Sequence, residues 1–165
     1  MTVAAKKLSN RLDLSLIFLR PSIEADRGFV DHLTRDVMAP YVAQTWSDKQ
    51  DIEAYFKSNK FDLPSTQIIQ YDSQDIGRLS ILWREDHLYI DNLHILSEHQ
   101  GKGIGKFVIQ QLIQQADLRD LSIKLMVLKI NPAKKLYEAL GFKIYTIKNH
   151  RFLMERNPLS IHGNK

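Results

Sequence analysis

Three of the chain's seven glycines stand at positions 101, 103 and 105, in the run Gln100-Gly101-Lys102-Gly103-Ile104-Gly105-Lys106. A mostly apolar run, His87–Leu96, ends just before them. A helical pattern starts among them, with Ile104, Val108, Leu112 and Ala116 on one stripe and Ile109 and Ile113 beside it. A strand, a glycine loop and a helix N-terminus in that order suit a phosphate. Glycines let a ligand approach the backbone, and the first turn of a helix has free N–H donors at a positive dipole end. Lys102 and Lys106 add charge at the same point. The dinucleotide fingerprint G-x-G-x-x-G fails, because Lys106 stands where its third glycine belongs. The P-loop also fails: Phe107 follows Gly105-Lys106, and Gln100 holds the upstream glycine position. A ligand-free glycine turn is the plain alternative.

Composition narrows the rest. At 165 residues and 19.2 kDa the chain is one domain's worth, able to bury a core without staples. It has no cysteine, which excludes disulfides, cysteine nucleophiles and thiolate metal sites. The six histidines show no H-E-x-x-H pattern or close pairing, so no metal is expected. No run is long enough for a membrane span, and the start lacks a signal-peptide core, so a cytoplasmic protein is expected. Charge is uneven. Residues 1–100 carry 11 Lys/Arg against 15 Asp/Glu, a balance of −4, and residues 101–151 carry 10 against 3, a balance of +7. The basic residues are dispersed without interleaved aromatics, so no nucleic-acid partner is expected.

The pattern predicts a first strand over Leu14–Arg20, then a helix from Ile23 to about Val37, capped by Ser22 and broken at Met38-Ala39-Pro40. Residues 41–47 read as a loop. Ser47 or Asp48 caps a second helix running to about Ser58. Gln67–Tyr71, a turn over 72–75 and Ile76–Arg84 form a hairpin, and His87–Leu96 is a fourth strand. After the glycine loop and its helix come a strand over Ile123–Leu128 and a short helix begun by Asn131-Pro132 and ended by Gly141. Two strands follow, over Phe142–Ile147 and His150–Met154. An N-terminal extension over 1–13, one domain over 14–156 and a polar tail over 157–165 complete the division. The order indicates a single α/β or α+β domain.

Gln100-x-x-Gly103-x-Gly105 after an apolar strand resembles motif A of the GNAT superfamily of acetyl-CoA-dependent N-acetyltransferases. Asn131-Pro132-Ala133-Lys134-Lys135-Leu136-Tyr137-Glu138-Ala139-Leu140-Gly141-Phe142 resembles the family's motif B, in the expected order. The spacing from Asn131 to Tyr137 is one residue shorter than in many relatives. The resemblance implies the GNAT fold: a mixed, mostly antiparallel sheet of about six to seven strands flanked by about four helices. It implies acetyl-CoA as co-substrate, held by Leu93, His94 and Ile95 on the fourth strand and by Gln100, Gly101, Lys102, Gly103, Ile104, Gly105 and Lys106. Asn131, Ala133 and Tyr137 complete the implied contacts, and Lys134 and Lys135 are candidate neighbours of the phosphates. Relatives commonly pair, so a homodimer is among the implied partners.

Acetyl transfer needs a base for the amine, a donor to the oxyanion and an acid for the leaving thiolate. The resemblance gives the last role to Tyr137. A backbone N–H near Leu93–Ile95 is the oxyanion candidate. Alternation sets Asp91, Leu93 and Ile95 on one face of the fourth strand and Asn92 and His94 on the other. With Leu93 and Ile95 core-facing, His94 is expected to point into the cleft as base, with Glu53 or a water chain as rival. Trp46, Trp83 and His150 are candidates for the acceptor pocket, and a protonated amine would be drawn to the acidic half. The resemblance implies a primary amine of a small molecule or peptide as acceptor. The competing reading is a non-catalytic module that binds coenzyme A or a nucleotide.

Overall fold

A computed structural model describes residues 12–159. Most of the N-terminal extension and of the polar tail anticipated from sequence lies outside the described residues. A 3-10 turn over Leu14–Leu16 precedes β1 (Ile17–Pro21), and a second over Glu24–Asp26 leads into α1 (Arg27–Thr45). Next come α2 (Lys49–Ser58), β2 (Thr66–Tyr71), β3 (Gln74–Trp83) and β4 (His87–Ile95). A 3-10 turn over Ser97–His99 precedes α3 (Ile104–Leu118), β5 (Ser122–Leu128), α4 (Ala133–Ala139), β6 (Lys143–Lys148) and β7 (Arg151–Arg156). The strands form one seven-stranded sheet in the order β1-β2-β3-β4-β5-β7-β6. Every pairing is antiparallel except that of β4 with β5, which α3 connects. Among the described residues no helix is long and apolar enough to cross a membrane.

Strand alternation buries both faces. Leu88, Ile90, Ile95, Ile123, Leu125 and Val127 join the stripe of α3 and Tyr137 and Phe142 from the α4 region in the main core. On the opposite face Met38 and Val42 of α1, Phe56 of α2 and Leu128 of β5 form a second cluster. Two-residue turns with positive φ close the hairpins: Asp72-Ser73 between β2 and β3, and Asn149-His150 between β6 and β7. The first is two residues shorter than the turn expected from sequence, and the second places His150 in a turn rather than a strand.

The expected break at Pro40 does not occur: α1 runs on to Thr45 and carries Tyr41 with it. Proline removes one N–H donor and crowds the preceding turn, at a cost of about 3 kcal/mol. Val30, Leu33, Met38 and Val42 lie along one apolar stripe that spans the proline, and each is buried. Burying side chains of this size contributes about 1.5–3 kcal/mol each, which outweighs the break. The helix also starts differently. Ser22 does not cap it but donates its hydroxyl to the Leu63 carbonyl at 3.2 Å.

Asp26 organises that corner instead. It accepts from the Ile23 N–H at 2.8 Å and takes a two-pronged contact from Arg20, both bonds 2.9 Å. The Arg20 guanidinium holds the Asp26 carboxyl below the usual carboxylate range. Its stabilising effect is therefore complete above the unfolded-state value of about 3.9 and is lost as pH falls through the depressed native value. Asp26→Asn is expected to lower stability by about 2–3 kcal/mol at neutral pH. Urea unfolding of the two proteins should converge as pH drops through that range.

Candidate active site

β4 and β5 are zipped only from His87–Ile90 against Ser122–Leu125. Beyond Ile90 and Leu125 they separate. On its other side β4 stays paired to β3, but with an irregularity: Ser80 opposes Asn92 while Ile81 opposes Ile90, so Asp91 has no partner. A bulge of this kind bends a strand and re-aims a side chain. The separation opens a cleft of about 940 Å³ that reaches both faces of the sheet. On the α3 side it is lined by the glycine loop, Asn131–Ala133, Leu136 and Tyr137. On the α1–α2 side it is lined by Met38, Tyr41, Tyr55 and Asn59, with Lys148 and Arg151 from the β6–β7 hairpin.

The loop follows directly from its sequence. Gly101 has φ +72° and Gly103 φ +89°, both in the left-handed region, with open space where a Cβ would stand. At Gly105 a Cβ would make ordinary contact with Ile95 at 3.6 Å and Leu136 at 3.7 Å, so no backbone strain requires glycine there. Gln100 ties the loop to the end of β4 by donating its side-chain amide to the Ile95 carbonyl at 2.8 Å. Among the described residues no protein acceptor takes the N–H of Gly101, Lys102, Gly103, Ile104, Gly105 or Lys106; the first helical bond is from Phe107 to Gly103. Free donors at a helix start form a seat for a phosphate. His99 beside them lines the cleft with its Nδ1 buried and unpaired. Lys106 lines the cleft, whereas Lys102, Lys134 and Lys135 do not. Lys134 is engaged with Glu138 at 3.0 Å.

Tyr137 stands at the root of the cleft, 8% exposed, its ring edge-on to Phe142. Burial pushes its phenol up to about 12. The hydroxyl has no protein partner among the described residues and is not among the sealed, unpaired polar atoms, so it opens to the cleft. Asn131 accepts from the Ala133 N–H at 3.0 Å, which leaves its amide to donate elsewhere.

Of the two candidate bases, His94 lines the cleft and Glu53 does not. Leu93 and Ile95 do face the α3 core, and both, with His94, line the cleft. The His94 side chain, however, is 6% exposed and turned under α1, its Nδ1 3.4 Å from the Thr34 hydroxyl. Burial and the neighbouring Arg78 push its imidazole down to about 3, so it stays neutral and is a weak proton acceptor. Glu53 lies on the outer surface of α2, paired with Arg35 at 3.1 Å and apart from the cleft. Trp83 is at the far end of β3 under Arg119, 3.9 Å from its ring. Trp46 packs on Tyr55 and on the exposed His150, behind the cleft wall.

Asp91 is the residue that alternation concealed. The bulge takes it off the face of Leu93 and Ile95, and it lines the cleft with Tyr55 and Tyr89, whose phenols its charge affects. Among the described residues its carboxylate has no hydrogen bond or ion pair, and it lines the cleft. Asp91 is exposed to the cleft; partial desolvation there raises its pKa above the usual carboxylate value, and the positive charge of Arg78 opposes that rise. Arg78 is 1% exposed, held by Thr34, Ser80 and the Asn59 carbonyl, with Nε unpaired. Among the described residues no three His, Asp or Glu side chains gather as metal ligands.

The acetyltransferase (GNAT) domain, as a sequence family, matches residues 64–144, which hold β2 to β5, the glycine loop and α4. Over these residues the chain is similar to the GNAT superfamily. Solved GNAT-type structures share its fold. The PaiA N-acetyltransferase from Thermoplasma acidophilum, in complex with coenzyme A, aligns over 86% of this chain and 98% of its own, with TM-score 0.69 and 18% identity. The ribosomal-protein-S18-alanine N-acetyltransferase of Escherichia coli aligns over 90% and 99%, with TM-score 0.60 and 17% identity. Arabidopsis thaliana Naa50, in complex with a bisubstrate analogue that joins CoA to a peptide, aligns over 86% and 99%, with TM-score 0.60 and 16% identity. No curated protein matches the chain in sequence.

Proposed function

We propose that this protein is an N-acetyltransferase that moves acetyl from acetyl-CoA to a primary amine by direct attack in a ternary complex. The observation that carries the reading is the cleft between β4 and β5, with free amides of the glycine loop at one end and Tyr137 and Asp91 on its walls. Solved relatives that hold coenzyme A on this fold support it. Bound acetyl-CoA would supply an acetyl group activated as a thioester. The amides of Gly101–Lys106 would hold its pyrophosphate. The side of β4 left unpaired over Leu93–Ile95 would hold its pantetheine arm and give an N–H to the developing oxyanion. Asp91 accepts the proton released as the amine nitrogen bonds to the acetyl carbon. Tyr137 donates to the sulfur as the C–S bond breaks. A metal-free cytoplasmic enzyme is the simplest form of this proposal.

Free-thiol release with a panel of primary amines tests it. Turnover of one or more amines is expected; coenzyme A binding with no amine turned over would make the protein a binding module. The loop is tested by calorimetric titration with coenzyme A. Gly103→Ala places a Cβ at φ +89°, where left-handed backbone costs about 1–2 kcal/mol, and about a tenfold loss of affinity is expected. Gly105→Ala, meeting only ordinary contacts, should retain binding.

A further inference from the structure

The α1–α2 side of the cleft holds two cations with no carboxylate partner. Lys148 ends β6, Arg151 begins β7, and both line the cleft. Among the described residues neither enters an ion pair. Arg151 gives Nη1 to the Asn149 carbonyl at 3.0 Å, one of its five N–H donors. Its guanidinium is steadied on two rings, 5.3 Å from the centroid of Trp46 and 6.0 Å from that of Tyr55. The charges of Arg151 and Asp91 act in opposite senses on the same two phenols, Tyr55 and Tyr89. A positive and a negative group therefore line the same cleft.

An acceptor whose only charge is an ammonium would meet Asp91 but be repelled by the two cations. One that also bears an anion satisfies both ends. The glycine loop, which suits the phosphates of a co-substrate, lies on the opposite, α3 side. We propose that the acceptor carries a carboxylate beside its amine, and that Arg151 and Lys148 receive it. This rests on the acetyl-transfer reading and adds the substrate class. The carboxylate belongs either to a free α-amino acid or to an acidic side chain behind a peptide N-terminus.

Matched pairs test it: L-leucine against L-leucinamide, and the amidated peptides Met-Asp-Ala against Met-Asn-Ala. Each is assayed by thiol release and by calorimetric titration of the coenzyme A-loaded protein. The carboxylate-bearing member of one pair should be preferred at least about tenfold, and which pair it is identifies the source. Arg151→Gln should raise KM for that compound about 10- to 100-fold and, by removing a charge that repels an ammonium, lower KM for the amide counterpart, so that the preference narrows or inverts. Lys148→Gln, at an exposed site with no structural contact to lose, should act in the same direction. Equal use of both members, no binding of either, or a preference unchanged in both variants would overturn the inference. If no amine releases thiol, the transfer reading fails, while titration still decides whether Arg151 and Lys148 bind the carboxylate.

Discussion

Tyr137→Phe is expected to lower turnover by about 10²- to 10⁴-fold while affinity for coenzyme A stays nearly unchanged. The phenol, raised to about 12 by burial, stays protonated across the neutral range and always has a hydrogen to give. A thiolate with a pKa near about 8.5 is a weaker base than such a phenolate, so the hydroxyl acts mainly by donating a hydrogen bond as charge builds on sulfur. Phenylalanine keeps the ring that packs edge-on against Phe142. The fold and the glycine loop are therefore left intact, and only the donor is removed. Single-turnover kinetics with unfolding as a control measure this. Undiminished turnover would remove Tyr137 from the mechanism.

Asp91→Asn should cost about 10²- to 10⁴-fold in kcat/KM, and its pH profile separates this role from a structural one. Because partial desolvation raises the pKa of Asp91, its basic form increases as pH climbs through that elevated value. Activity of the parent should rise with it along an acid limb that the Asn variant lacks, so the two should approach each other at low pH. A further rise toward the pKa of the free amine, about 10, should remain in both. Stability moves the opposite way. A carboxyl whose folded pKa is raised opposes folding above that value, and the penalty fades as pH falls to its unfolded value, so the variant should be no less stable than the parent at neutral pH. A variant that unfolds more easily and keeps the acid limb would show Asp91 to be structural.

The parts of this molecule readable from sequence are those fixed by neighbours along the chain. The glycines at 101 and 103 require left-handed backbone locally, and the α3 stripe needs only a 3.6-residue period. What escaped depends on partners distant in sequence. The Asp91 bulge exists because β3 and β4 fall out of step between Ser80 and Ile81, and no feature of β4 alone announces it. Simple alternation therefore sent Asp91 to the core. The same alternation set His94 on the correct face but could not reveal that α1 covers it with Thr34. The helix through Pro40 escaped for a related reason: a local rule for breaking was outweighed by packing against Phe56 and Leu128. Arg151 gave no signal at all, because a tight turn between two strands swings it to the cleft.

The short parallel zipper of β4 and β5 bears on mechanics. Four residue pairs are the seam between a four-stranded ribbon and a three-stranded one. A guest that hydrogen-bonds along the open margin of β4 supplies rungs the protein itself omits. The width of the gap is then set by its filler, and occupancy and rigidity become a single quantity.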